Sequence, residues 1–133
     1  MKLSNEIKDV LSNFQSINSN IAIGEEGGFI RTMSTSKTLM SKAHIAFDSP
    51  YPFGIYDLGE FLACLNMFDD PTLSFDDDKK FVNITDGITT FKYYFSEIDI
   101  LTVPTQDINL ECDDLHFTLT HDELSQLRTA SAT

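Results

Sequence analysis

Three histidines and a run of aspartates are the first candidates in this chain for a metal site. His44 and His116 lie in strand-like patterns and His121 lies at a predicted helix cap, so the three have no ligand spacing. The run Asp76-Asp77-Asp78 lacks the remaining positions of a calcium loop and is typical of a solvated turn. We therefore predict no metal site.

No pattern in the sequence is typical of a catalytic or phosphate-binding site. The glycine-rich residues 24–28 precede a strand pattern and not a helix, which indicates a hairpin turn. A nucleophile elbow and a paired catalytic constellation are both absent from the sequence. Cys64 and Cys112 lack metal-like spacing, and two such thiols indicate a reducing compartment. We expect neither enzymatic activity nor a cofactor.

Length and charge limit the classes of protein that remain. With 133 residues, the chain can hold one domain with a core, or one domain and a fragment of another. Its net charge of −12, from 21 acidic and 9 basic residues, repels phosphates, so a DNA role requires a local basic face or a topological hold. No apolar run approaches the roughly 20 residues of a membrane span, and the N-terminus does not resemble a signal peptide. A cytosolic protein without membrane contact is expected.

Two segments are predicted to be amphipathic helices. Between Ser4 and Ile17, apolar residues recur at three- and four-residue steps, and Ser4 is a suitable N-cap. The second helix runs to Phe68, and Asp57 with Glu60 forms a predicted capping box at its start. The predicted buried stripes are Ile7, Val10, Leu11, Phe14 and Ile17 in the first helix, and Leu58, Phe61, Leu62, Leu65 and Phe68 in the second.

The rest of the first 95 residues alternates in the manner of antiparallel strands. Aspartates and glycines in the intervening segments are typical of hairpin turns. The predicted strands are residues 21–23, 29–33, 38–47, 53–56, 72–75, 80–84 and 88–95.

The pattern changes beyond residue 95. Residues 96–114 are predicted to be an extended connector with apolar anchors. Residues 115–119 then predict a strand, and Thr120 with Glu123 predicts a capping box that opens another helix. This new start faintly repeats the beginning of the chain, as an internal duplication would. The predicted division is a domain over 1–95, a connector over 96–114 and an incomplete second domain over 115–133.

Five short motifs carry a resemblance to a known family. They are Met1-Lys2-Leu3-Ser4, Asn13-Phe14-Gln15-Ser16-Ile17-Asn18, Phe53-Gly54-Ile55-Tyr56-Asp57-Leu58, Glu60-Phe61-Leu62 and Phe68-Asp69-Asp70-Pro71, together with the segment from Leu115 to Leu127. In order and spacing they resemble the sliding clamps of large tailed bacteriophages, which are DNA polymerase processivity factors. The resemblance runs in register to about Phe95 and more loosely through the connector. It identifies the chain with the N-terminal domain and the start of the second domain.

The resemblance implies an α+β DNA-clamp fold, with two helices packed on antiparallel sheet in each of two similar domains. Three such subunits would close into a ring around duplex DNA, with helices lining the hole. The implied partners are duplex DNA, a DNA polymerase and a clamp loader, in the cytoplasm of an infected bacterial host. Family clamps are longer than this chain, so the homotrimer is expected of a full-length protein. For this fragment, either a monomer or a dimer is compatible with the sequence.

Cations on the inner helices would be the DNA-facing residues of such a ring. Lys8 lies beside the apolar stripe of the first helix, and Lys2 precedes that helix. Arg128 follows the stripe residue Leu127 in the last helix. Each is either a phosphate contact or an ordinary solvated cation.

The predicted partner-binding residues are Ile98, Ile100, Leu101 and Val103. They lie where the resemblance places the interdomain connector, near which family partners insert a short peptide with apolar anchors. The alternative is that these side chains only pin the connector to the sheet.

Two functions follow from these patterns. The first is a clamp that encircles DNA and tethers the replicative polymerase. The alternative is a truncated clamp-like module that binds replication or transcription partners without closing a ring, and the size of the particle in solution separates the two. A chain that lacks most of its second domain would expose sheet edges, which predicts dimers through paired edges.

Overall fold

The computed structural model describes residues 2–25, 29–45, 47, 49–104 and 116–132. They form three α-helices, seven strands and one short 3-10 helix within these ranges. In chain order the elements are α1 (Asn5–Gln15), β1 (Ile21–Glu25), β2 (Phe29–Met33), β3 (Met40–His44), β4 (Phe53–Ile55), α2 (Leu58–Asn66), β5 (Thr72–Phe75), β6 (Phe81–Thr85), β7 (Thr90–Tyr94), the 3-10 helix (Ile98–Ile100) and α3 (His121–Ser131).

Both predicted N-terminal helices are confirmed, with the predicted caps. The Ser4 hydroxyl accepts a hydrogen bond from the Ile7 N–H at 3.3 Å, which satisfies one of the free donors at the start of α1. An Asp57 oxygen accepts from the Glu60 N–H at 3.0 Å at the start of α2, which is one half of the predicted capping box. Local sequence therefore determines where each helix begins.

The seven strands form two antiparallel sheets. The first has the order β3-β2-β1-β4, and its central hairpin pairs Ile23 with Ile30. The second has the order β5-β6-β7, and Lys2 forms an isolated bridge with Thr72 at its β5 edge. The strands predicted at 38–47, 80–84 and 88–95 are confirmed over shorter or slightly shifted ranges.

One apolar core joins both helices to both sheets. Alternate residues of β1, such as Ile21 and Ile23, point into it and are fully buried, because successive strand residues point to opposite faces. The free thiol of Cys64 on α2 is also buried in this core, whereas Cys112 lies outside the described residues. The two helices thus pack on the same side of the β-structure, as the resemblance implies. The helix residues in this core are Ile7, Leu11, Phe14, Leu58, Phe61, Leu62, Cys64 and Leu65.

Aromatic rings fill the junction between the two sheets. The ring centroids of Phe53 and Phe95 lie 4.2 Å apart, and that of Phe75 lies 5.7 Å from Phe53. Tyr51 packs edge-on against Phe75, and its hydroxyl donates to the backbone oxygen of Asp76 at 2.8 Å. Aromatic pairs in such geometries contribute beyond their buried area, so this group fixes how the sheets meet.

The predicted strand at 115–119 is wrong over residues 116–119. The structure has these residues without secondary structure and exposed, and Leu115 lies outside the described ranges. A strand requires a neighbour that takes up its backbone N–H and C=O groups, and no strand in the described ranges pairs with this segment. The helix that follows is confirmed, since Thr120 and Glu123 form a complete capping box at the start of α3. The assignment of residues 115–133 to a second domain stays a prediction.

None of the helices in the described ranges is long and apolar enough to cross a membrane.

Tyr93 on β7 closes the core beside α2. Its ring packs edge-on against Phe61 at 5.1 Å between centroids, and its hydroxyl donates to the backbone oxygen of Asp57 at 3.2 Å. Burial, together with the carboxylates of Glu60 and Asp57, raises the pKa of Tyr93 to about 12. The folded protein therefore holds this phenol in its neutral form.

Stability above about pH 10 tests this placement of Tyr93. Because an unfolded tyrosine has a pKa of about 10, the stabilisation is complete below that pH and is lost as the pH rises towards about 12. In Tyr93→Phe, the free energy of unfolding should fall less steeply with pH over this window, measured by denaturant titration. Tyr94→Phe, at an exposed neighbour, is the control and should keep the wild-type slope. A wild-type slope in the Tyr93 variant would contradict the assignment.

Candidate nucleic-acid interface and connector surface

Helices α1 and α2 lie side by side and present one exposed surface. They contact each other, and each buries its apolar stripe in the core. We call the exposed residues of the two helices the helix face. It consists of Asn5, Glu6, Asp9, Ser12, Asn13 and Gln15 from α1, and Glu60, Ala63 and Asn66 from α2.

The helix face is acidic. Three carboxylates, of Glu6, Asp9 and Glu60, outnumber the amine of Lys8, which is half-buried at its margin. A surface of this sign repels the phosphates of a duplex. Electrostatic attraction to these two helices therefore cannot be what holds DNA.

The other two predicted DNA-facing cations lie on separate elements. Lys2 forms an ion pair with Asp70, which follows α2, and so its charge is partly compensated. Arg128 is exposed in the last turn of α3, where its positive charge interacts favourably with the negative end of the helix dipole. The structure does not gather Lys2, Lys8 and Arg128 on one element, and their DNA-facing role stays a prediction.

The connector begins on the opposite face of the four-stranded sheet. Leu101 and Val103 are buried there against Ala22, which alternates with the core residues of β1. Ile98 is half-buried against the same group, and Ile100 is 69% exposed. Three of the four predicted partner-binding residues thus pin the connector to the sheet, and Ile100 alone of the four is displayed. The role of all four in partner binding stays a prediction.

Gly54 on β4 makes room for this packing. It pairs with Ala22 across the strands, so both small residues lie under the connector. A Cβ atom at Gly54 would lie 2.5 Å from a Leu101 methyl carbon and 2.8 Å from the backbone oxygen of Ser96. The Ser96 N–H also donates to the Gly54 oxygen at 2.8 Å. A side chain at position 54 is therefore incompatible with the connector packed this close to the sheet.

Two polar residues that the sequence patterns do not single out hold the connector. Asn18 and Asn20 follow α1, and both are buried and bonded to the backbone of Thr102. In the sequence, Asn18 is noted only within a motif of the family resemblance, and Asn20 lies outside every motif. Two asparagines in a loop have the same signature whether they are solvated or buried, so spacing alone could not find them.

The histidines and aspartates do not assemble a metal site in the described part of the chain. His44 packs edge-on against Phe29 at 5.1 Å between ring centroids. Asp76 instead orders its own turn, where one carboxylate oxygen accepts from the N–H groups of Lys80 and Phe81. No three His, Cys, Asp or Glu side chains converge among the described residues.

Two helices on one side of antiparallel sheet, with a connector starting across the other side, form an α+β domain consistent with the DNA-clamp class. No family model matches the sequence. The chain is 34% identical over 137 residues to the sliding clamp of Vibrio phage KVP40, across 100% of this chain and 61% of that clamp. It is 29% identical over 132 residues to the sliding clamps of Escherichia phage RB69 and Enterobacteria phage T4, across 98% of this chain and 57% of each clamp. The chain is thus a homologue of phage sliding clamps and has their DNA-clamp fold.

The chain spans about three fifths of the length of these relatives.

The space at Gly54 predicts a loss of stability in Gly54→Ala. The new methyl group would collide with the Ser96 backbone, which cannot rotate away, and overpacking of this kind costs about 1–3 kcal/mol. Gly59→Ala is the matched control, because its Cβ would meet the exposed and movable side chain of Gln15. Because alanine is favoured over glycine in a helix by up to about 1 kcal/mol, its free energy of unfolding should not fall. Equal losses in the two variants, measured by urea unfolding, would refute the close approach at Gly54.

Proposed function

We propose that this chain is the N-terminal part of a sliding clamp that encircles duplex DNA and tethers the replicative DNA polymerase in the cytoplasm of an infected bacterial host. The observation that carries the proposal is sequence similarity to phage sliding clamps along the whole chain. The protein is a processivity factor without catalytic activity or cofactor. Its partners are duplex DNA, the polymerase and the clamp loader.

The acidic helix face supports retention of DNA by enclosure. A closed ring keeps hold of a duplex without binding it, because the ring cannot leave a strand that has no end. Repulsion between the inner carboxylates and phosphates keeps direct contacts weak, so the ring slides. Lys8 supplies a weak, sequence-independent phosphate contact within this acidic surface.

Sheet edges support assembly of the ring. Strands β3 and β7 are edge strands of their sheets in the described part of the chain, and unpaired edge groups can pair with another subunit. We propose that a complete protein closes as a homotrimer through such edges, with residues 96–114 as connector and 115–133 as the start of its second domain. For the fragment, the same edges lead to dimers.

The connector supports polymerase tethering. Leu101 and Val103 hold it on the sheet, and Ile100 projects from it. We propose that a short apolar peptide of the polymerase docks beside this segment, on the side of the sheet opposite the helix face. The connector residues Ile98, Leu101 and Val103 then form the base of the site and Ile100 forms its exposed contact.

The alternative is a clamp-like module that binds partners without closing a ring. Its support is a set of exposed apolar residues that would be buried by a partner, either another part of a longer chain or a separate protein. They are Phe117, Leu119, Leu124 and Leu127. Sedimentation equilibrium separates the two functions, since a ring requires a closed oligomer.

DNA topology provides the test of enclosure. The complete clamp should be loaded onto nicked circular DNA and, separately, onto a linear duplex with free ends. Over one observation period it should stay on the circle and be lost from the linear duplex. Salt should shorten both times only slightly, because few phosphates are neutralised. Equal retention on circular and linear DNA would show electrostatic binding and refute enclosure.

Charge reversal at Lys8 tests the phosphate contact. Lys8→Glu should lower the amount of clamp loaded onto circular DNA roughly two- to fivefold, the range of an exposed charge contact of about 0.5–1 kcal/mol. Lys37→Glu makes the same change in charge in the exposed turn between β2 and β3 and should leave loading unchanged. If both variants behave alike, Lys8 does not face DNA.

A further inference from the structure

The backbone of one connector residue is held on both sides by side-chain amides. The Thr102 N–H donates to the Asn20 side-chain oxygen at 2.9 Å. The Thr102 carbonyl oxygen accepts from the Asn18 side-chain nitrogen at 3.2 Å. We call this arrangement the asparagine clip. Its partners are more than eighty residues apart in sequence, so it is a tertiary contact and not part of a local turn.

The clip is itself rigidly held. The Asn18 nitrogen also donates to the Met33 carbonyl oxygen at 2.9 Å, and the Asn18 oxygen accepts from the Asn20 N–H at 3.3 Å. The Asn20 nitrogen donates to the Tyr56 carbonyl oxygen at 2.8 Å. Both asparagines are only 9% exposed. Each of their polar atoms has a partner, which is what burial of an amide requires.

The clip lies at the residues that set the connector's register. Leu101 and Val103 flank Thr102 and insert beside Ala22, while Thr102 bonds sideways through its backbone. A shift of the connector by one residue would place Ile100 and Thr102 over the sheet in their stead, because alternate residues of an extended chain face opposite ways. Such a shift would put the hydroxyl-bearing Thr102 in the place of Val103, which apolar packing beside Ala22 disfavours. The two amide bonds then fasten the backbone at this point of the sheet.

The clip also joins the connector to both helices. Asn18 and Asn20 lie in the loop between α1 and β1, and the Ser19 oxygen in that loop accepts from the Leu58 N–H at 2.9 Å, where α2 begins. The end of one helix, the start of the other and the connector therefore meet at a three-residue segment.

We propose that Asn18 and Asn20 are positioning residues that fasten the connector to the sheet in the register set by Leu101 and Val103, and so keep Ile100 displayed. The docking role of Ile100 rests on the proposed function, whereas the register does not. Neither asparagine contacts a partner, since both act through the backbone of Thr102.

Amide hydrogen exchange tests how firmly the asparagine clip holds the connector in the protein without any partner. In Asn20→Ala, exchange of the connector segment 96–104 should rise roughly fivefold or more, the factor expected from the loss of about one net hydrogen bond. Exchange of the core strand 81–85 should stay within about twofold of wild type. Asn66→Ala, at an exposed asparagine on α2, is the matched control and should change neither segment.

A second variant keeps the test valid if Asn20→Ala unfolds the protein. Thr102→Pro removes the N–H that Asn20 accepts from, together with the half-buried Thr102 side chain, and leaves both asparagines in place. The preceding residue Leu101 is already in the extended conformation that a following proline favours (φ −89°, ψ 151°). The same selective rise in exchange over 96–104 is expected. A parallel rise in 81–85 would show a general contribution to stability, and an unchanged connector would show no contribution, so either result overturns the proposal.

A peptide-binding measurement distinguishes failure of the asparagine clip from failure of the proposed docking site. With a short apolar peptide of the polymerase as the probe, Asn20→Ala should weaken binding several-fold. A selective rise in exchange together with unaltered peptide binding supports the clip and refutes the docking site. Unchanged exchange overturns the clip whatever the peptide does.

Discussion

Burial of β1 and β4 on both faces of the four-stranded sheet is the constraint on which the rest of the structure depends. On one face, Ile21 and Ile23 pack into the core under the helices, and on the other Ala22 packs against Leu101 and Val103. These two strands therefore separate the helices from the connector. Helices lie on one side and the connector begins on the other, about a sheet's thickness apart. The small side chains at Ala22 and Gly54 permit the second covering, because anything larger at position 54 would meet the connector backbone.

The distribution of charge complements this division. The chain has a net charge of −12, and its two core-packed helices bear three carboxylates and one amine. Under the proposed function, such a surface can serve DNA only by surrounding it, since attraction would have to come from cations that these helices lack. Specificity for the polymerase would then depend on apolar contacts at the connector and not on charge. A connector fastened to the sheet, as we propose for the asparagine clip, would present the same apolar residue to every partner.

The sequence predicted the elements better than the contacts between them. Both core helices and their caps followed from periodicity and from Ser4 and Asp57, because these signals are local. The strand predicted at 115–119 was wrong over 116–119, since strand formation depends on a partner that sequence periodicity does not reveal. Leu101 and Val103 were identified as anchors or contacts, and only the structure shows that they are buried. Asn18, Asn20 and Gly54 were missed, because their roles depend on residues forty to eighty positions away.

Site-specific photocrosslinking on the loaded clamp tests most directly whether the helix face lies next to DNA and the connector lies next to the polymerase. One probe replaces Ser12, exposed on α1, and the other replaces Ile100, exposed on the connector. With the complete protein on closed circular DNA and polymerase present, the probe at Ser12 should crosslink to DNA and the probe at Ile100 to polymerase. DNA crosslinks from Ile100, or polymerase crosslinks confined to Ser12, would contradict the account.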